Sequence, residues 1–72
     1  MKMLCYQYHI QEKRNNDWEG DQISPNHLKR CDSRYTKKVQ KGQRLVLYIK
    51  EWDEVRQEPA DLIDILTLIE VK

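Results

Sequence analysis

The stretch from Ser24 to Gly42, SPNHLKRCDSRYTKKVQKG, does more than any other to limit what this chain can fold into. Both of its ends carry helix punctuation. Ser24 can serve as an N-cap, accepting a bond from a free backbone N–H, and Pro25 loses no bond at the first helical position. Ile23 and Leu28 have the spacing of a hydrophobic staple across that cap. Gly42 suits the left-handed conformation that closes a helix, and Lys37, Lys38 and Lys41 favour the negative end of its dipole. Leu28, Cys31, Tyr35 and Val39 recur at steps of three and four, a narrow apolar stripe, while Arg30, Arg34, Lys37 and Lys41 lie on the opposite side. The pattern predicts one helix over 24–42, with one face for a core and one strongly basic face.

On either side of that helix the period changes to two. Residues 3–12 alternate Leu4, Tyr6, Tyr8 and Ile10 against Cys5, Gln7, His9 and Gln11, which predicts a half-buried strand. Lys13 to Asp17 is a polar turn in which Asn15 and Asn16 tolerate unusual backbone angles. Trp18 to Ile23 can return as a short second strand. RLVLYIKEW (44–52) is rich in β-branched and aromatic residues and predicts a third. The segment LIDILTLIEV (62–71) fits two templates. Pro59-Ala60-Asp61 could open a helix, with apolar residues at 62, 65, 66 and 69 on one face. Ile63, Ile65, Thr67, Ile69 and Val71 instead place β-branched residues at strict alternation, and that favours a strand. The expected fold is α+β: a small antiparallel sheet of three to four strands with one helix packed on one face, in the order β-(β)-α-β-β.

Such an architecture leaves apolar residues over. With Leu45, Leu47, Ile49, Ile63, Ile65 and Ile69 turned to the helix, Val46, Tyr48, Trp52, Leu62, Leu66 and Leu68 fall on the other face. A patch of that kind marks an interface, unless the N-terminal segment and Trp18 fold over it or two copies pair through it.

Seventy-two residues allow a single domain, 1–72, with one small core. At 39% hydrophobic and 35% charged, the composition is that of a globular chain, not a disordered one. The start, MKMLCYQYHIQEK, has no apolar run long enough for a signal peptide, and no segment is long enough to span a membrane. A cytoplasmic location is therefore expected, with Cys5 and Cys31 reduced. Charge is segregated: residues 1–24 carry a net −1, residues 25–44 a net +6 and residues 45–72 a net −4. A basic helix is followed by an acidic hairpin, a polarity that suits a nucleic-acid partner or a protein with a mixed-charge surface.

Metal and catalytic chemistry find little support in the pattern. Cys5 with His9 and His27 with Cys31 have the look of paired ligands, and on a helix the second pair would share a face. On a strand, however, Cys5 and His9 stand about 13 Å apart, too far for one zinc ion. No base or orienting acid is indicated for either cysteine, and two glycines leave no phosphate-cradling loop. The expectation is a non-enzyme with no metal and no cofactor. The candidate binding residues are Arg30, Arg34, Lys37, Lys38 and Lys41 on the helix, flanked by Lys29 and Arg44, and Glu51, Trp52, Asp53, Glu54 and Glu58 on the hairpin, continued by Asp61. The cations could follow a phosphate backbone, with Tyr35 or His27 stacking at the margin.

The string Glu19-Gly20-Asp21-Gln22-Ile23, placed after a first strand and before a helix and a hairpin, resembles small phage anti-CRISPR proteins. In particular it is similar to a group of type I-F inhibitors with an E-G-x-Q-I stretch at that point. The resemblance implies a stoichiometric phage inhibitor that binds a host CRISPR–Cas effector complex, often on subunits lining the nucleic-acid channel, and stops target DNA from pairing with the guide. The acidic hairpin would then mimic DNA phosphates. A small DNA- or RNA-binding module using the basic helix is the alternative, and a homodimer joined through its sheet face is a third.

Overall fold

Two asparagines start the sheet. In the computed structural model, which describes residues 2–72, β1 (Leu4–Arg14) turns into β2 (Asp17–Gln22) through Asn15 and Asn16, with φ of 50° and 70°. Asparagine enters this left-handed region more readily than most residues, and a two-residue turn of this hand matches the twist of the flanking strands. After a connection containing the short helix α1 (Asp32–Thr36), β3 (Gln43–Asp53) and β4 (Glu58–Glu70) form a second hairpin. Its loop is held by the Asp53 carboxylate, which accepts the backbone N–H of Val55 at 3.0 Å and of Arg56 at 3.1 Å. All pairings are antiparallel, in the spatial order β2-β1-β3-β4. The protein is mostly β, an antiparallel four-stranded sheet with one short helix. Among the described residues, no helix is long and apolar enough to cross a membrane.

The ambiguous last segment is a strand, and it begins earlier than expected, at Glu58. Pro59 fits there because β4 is an outer strand and one side of its backbone needs no ladder donor.

The helix predicted over 24–42 is reduced to Asp32–Thr36. The sheet edge captures its first half. The N-cap oxygen of Ser24 accepts the backbone N–H of Tyr8 at 3.0 Å. Ile23 donates to the Tyr8 carbonyl at 2.8 Å, while Tyr6 and His27 exchange both backbone bonds at 2.7 and 3.1 Å. Residues 23–27 thus run beside β1 as a continuation of β2, and Pro25 sits where no N–H is used. The staple has no helix start to brace, and Ile23 and Leu28 are both exposed. Downstream, Ser33, Thr36 and Val39 are poor helix formers, and a helix this short persists only through packing. Gly42 does adopt a positive φ of 85°, but it closes a turn into β3 and donates to Val71.

The core lies between the sheet and the crossing segment. Tyr8, Tyr35, Leu45 and Leu47 are buried, with Tyr6, Ile10, Cys31, Val39, Ile49, Leu66 and Leu68 packed round them. The Tyr8 and Tyr35 rings stack at 4.5 Å. Leu66 and Leu68 therefore face the core, and Ile65, opposite Tyr48, faces away, the reverse of what simple alternation predicts. The cause is a set of register shifts between β3 and β4, each of which inserts a residue and inverts the parity of everything beyond it.

Gly20 explains part of the E-G-x-Q-I stretch. A Cβ there would lie 1.9 Å from the Ile10 carbonyl oxygen, so β2 can approach β1 only with glycine at this point. Gln22 in turn donates to the Ser24 carbonyl at 2.7 Å and to Asn26 Oδ1 at 3.1 Å, which shapes the segment after β2.

Candidate functional site

The ten candidate residues are spread along the sheet, with Lys41 at one end, Glu54 at the other, and Arg30 and Arg34 by α1, whose Tyr35 stacks on Tyr8 in mid-sheet. Lys41 precedes β3 and Glu54 follows it, and eleven strand residues span about 35 Å. The two charged groups are not one site.

At the basic end the expected stripe is dispersed. Arg34 lies in α1, while Lys37, Lys38 and Lys41 fall in the turns after it, so they do not share a helix face. Lys38 reaches over the Tyr35 ring at 5.3 Å from its centroid. Arg30 is bound to Asp32, with Nε 3.2 Å from Oδ1. That carboxylate also accepts the Tyr8 hydroxyl at 2.5 Å. The Arg30 guanidinium, helped by Tyr8 and opposed by partial burial, holds the Asp32 carboxyl below its ordinary value of 3.8. Burial first, and the bond to Asp32 second, push the Tyr8 hydroxyl above its ordinary value of 10. Arg30 thus braces the core.

The supposed ligand pairs also separate. His27 and Cys31 precede α1, and His27 Nε2 is 2.7 Å from the Tyr35 hydroxyl. Cys5 is a buried free thiol, pushed up by that burial against the opposing pull of Lys50.

Among the described residues, no second layer of strands or helix covers the far face of the sheet. Its upper half is knitted together by its own side chains. Arg44 lies over the Trp18 ring at 4.2 Å. Its Nε donates to Gln11 Oε1 at 2.8 Å, Gln11 Nε2 is 3.5 Å from the Tyr48 hydroxyl, and Tyr48 packs on His9 with centroids 4.2 Å apart. Burial, with Lys50, lowers the His9 pKa below 6.5, against the pull of Asp21.

The lower half is different. Trp52 is half-buried opposite Pro59, Leu62 lies opposite Lys50 and Ile65 opposite Tyr48, and Leu62, Ile63 and Ile65 are 51%, 53% and 47% exposed. Acidic residues are spread along the same hairpin, and Asp64, opposite the core-packed Ile49, turns to the other face from Ile65. Glu51 is paired with Lys2 at 3.5 Å, Glu58 lies 3.9 Å from Arg56, and Asp53 caps the hairpin loop. Glu54, Asp61 and Asp64 are exposed, with no ion pair among the described residues. The hairpin thus exposes an apolar row, Leu62, Ile63 and Ile65, on a strand pair rich in acidic residues. An open cleft of about 370 Å³ adjoins it, lined by Met3, Trp52 and Ala60 among others. Ile63 and Ile65 were assigned to the covered face from sequence. Only the register shifts reveal them, and those leave no mark in the residue pattern.

No family model, curated protein or solved structure matches this chain. Fold and surface define a small antiparallel sheet protein whose acidic hairpin exposes an apolar row on its outer strand.

Proposed function

We propose that the protein is a non-enzymatic binding module that docks through its β3–β4 hairpin on a basic surface of a protein assembly. In the particular form implied by the Glu19-Gly20-Asp21-Gln22-Ile23 resemblance, it is a phage-type inhibitor acting in the host cytoplasm. Its target is a CRISPR–Cas effector complex whose nucleic-acid channel is lined by lysine and arginine. The observation that carries the proposal is the exposed apolar row Leu62, Ile63 and Ile65 on β4, in a hairpin that also exposes Glu54, Asp61 and Asp64. The apolar centre supplies affinity, and the acids supply steering and selection against acidic surfaces. Occupying a channel that otherwise takes a nucleic-acid backbone requires shape and negative charge, with no chemistry. The rival, phosphate binding along helix 24–42, called for cations in line on a helix face, and that helix has five residues.

The test is capture of a purified effector complex by the tagged protein, with and without nuclease. Retention should survive nuclease and fall at least about ten-fold with Glu54→Lys and Asp61→Lys together, while Arg34→Glu and Lys37→Glu leave it unchanged. If folded protein retains no effector complex, the inhibitor reading is wrong. Capture that disappears with nuclease would point to the cations instead.

A further inference from the structure

We propose that the outer edge of β4 receives an extended, lysine- or arginine-bearing segment of the partner as a fifth strand, and that Asp64 guards this edge against a second copy of the chain. The proposal rests on the docking role argued above and specifies its geometry.

β4 ends the strand order, so one side of its backbone has no neighbour in the sheet. A free strand edge is a template for another strand, with the ladder giving affinity and alternate side chains giving selectivity. The register of β4 is uninterrupted from Asp64 to Thr67, which pair in step with Ile49, Tyr48, Leu47 and Val46, and the shifts fall on either side. That regular window offers a short new ladder. The shifts and Pro59 limit it at both ends, which makes the edge selective rather than indiscriminately adhesive.

Charge decides the occupant. The thirteen residues of β4 include Glu58, Asp61, Asp64 and Glu70 and no lysine or arginine. Two copies paired edge to edge across the regular window would bring carboxylate against carboxylate and no cation to either strand, whereas a basic strand meets Asp64 within the window and Asp61 just beyond it. Asp64 adds a local barrier. Its carboxylate accepts the backbone N–H of Ile65 at 2.8 Å, inside the regular window, so a backbone donor is already capped by a side chain. Like-charged strands would have to cover that carboxylate uncompensated. A lysine or arginine on an incoming strand compensates it, and Leu62, Ile63 and Ile65 take the apolar residues that alternate with the cations.

The test is an NMR titration of the full chain with the octapeptide VKVKVKVK, alongside VEVEVEVE and a VKVKVKVK version N-methylated at alternate amides. The lysine peptide should shift amides between Asp61 and Ile69, slow hydrogen exchange within Asp64–Thr67, and bind about ten-fold more weakly to the Asp61→Asn, Asp64→Asn double variant. Asparagine keeps an acceptor for the Ile65 N–H, so this variant tests charge without disturbing the strand. The glutamate and N-methylated peptides should do none of this. Light scattering should show a monomer for the parent chain and a dimer for Asp64→Leu. Three outcomes overturn the proposal: no response to VKVKVKVK, an equal response to its N-methylated form, or a parent dimer with β4 protected before peptide is added. Effector capture without peptide binding removes the added strand and leaves the docking role, and peptide binding without capture does the reverse.

Discussion

Replacing Tyr8 by phenylalanine takes one oxygen out of the centre of the fold and should cost about 2 kcal/mol. The ring is fully buried and stacked on Tyr35, and phenylalanine keeps it. The hydroxyl donates to Asp32 Oδ1 at 2.5 Å and accepts the Cys31 backbone N–H at 2.8 Å. A hydrogen bond to a charged group contributes about 1.5–3 kcal/mol, and a buried donor left without a partner costs about 1–3 kcal/mol. Neither applies in full, because the Asp32 side chain is 34% exposed and keeps Arg30, and Cys31 is half-buried. For a domain of this size a loss near 2 kcal/mol lowers Tm by about 8–16 °C. Urea unfolding and thermal unfolding followed by circular dichroism read both quantities. A loss below about 0.5 kcal/mol in a variant with native spectra would refute the claim that this hydroxyl joins the crossing segment to the sheet.

Two further predictions follow from the same contacts. Gly20→Ala puts a Cβ 1.9 Å from the Ile10 carbonyl oxygen and 2.7 Å from the Gln11 Cα, both backbone atoms that no rotamer change can move. A loss of about 3 kcal/mol is expected in the urea midpoint, and an unchanged midpoint contradicts the close approach of β2 to β1. Because Arg30 and Tyr8 lower the Asp32 pKa in the folded state, Asp32 contributes stability that is complete above the unfolded value near 3.8 and is lost as pH falls through the lower native value. The stability difference between the parent and Asp32→Asn should therefore be constant from neutral pH to about 5 and shrink below about 3.8, and a difference that grows on acidification is incompatible with this arrangement.

Strands were far easier to read from this sequence than the helix, for a physical reason. Leu4 to Gln11 and Arg44 to Trp52 alternate apolar and polar or β-branched residues over a long enough run that only a sheet buries one side consistently. The β-branched series from Ile63 to Val71 outweighed the helical start offered by Pro59-Ala60-Asp61. At Ser24 and Pro25 the local chemistry was right and the outcome different. The same serine oxygen that caps a helix can accept the Tyr8 N–H of a strand edge, and Tyr6 offers His27 two backbone bonds that helix formation would forgo. Local punctuation says that a backbone group needs a partner. It does not say whether the partner is four residues away or across the fold.

The proposed docking surface was legible in part of its charge and illegible in its apolar residues, and the difference traces to the same strand pair. Glu54 and Asp61 are acidic wherever the chain puts them, so the segregation of charge along the sequence survives folding and marks the hairpin; Asp64, inside the apolar run of β4, is not among the expected acids. Which isoleucines and leucines stand among those acids depends on parity, and each register shift along β4 exchanges the two faces. Leu66 and Leu68 go into the core as a result, and Ile63 and Ile65 come out exposed. The irregularities that keep the outer strand from presenting a long uniform edge are therefore the features that place an apolar cluster there. With Asp64 capping the Ile65 N–H within the regular stretch from Asp64 to Thr67, the proposed fifth strand and the proposed guard against a second copy rest on the same few residues.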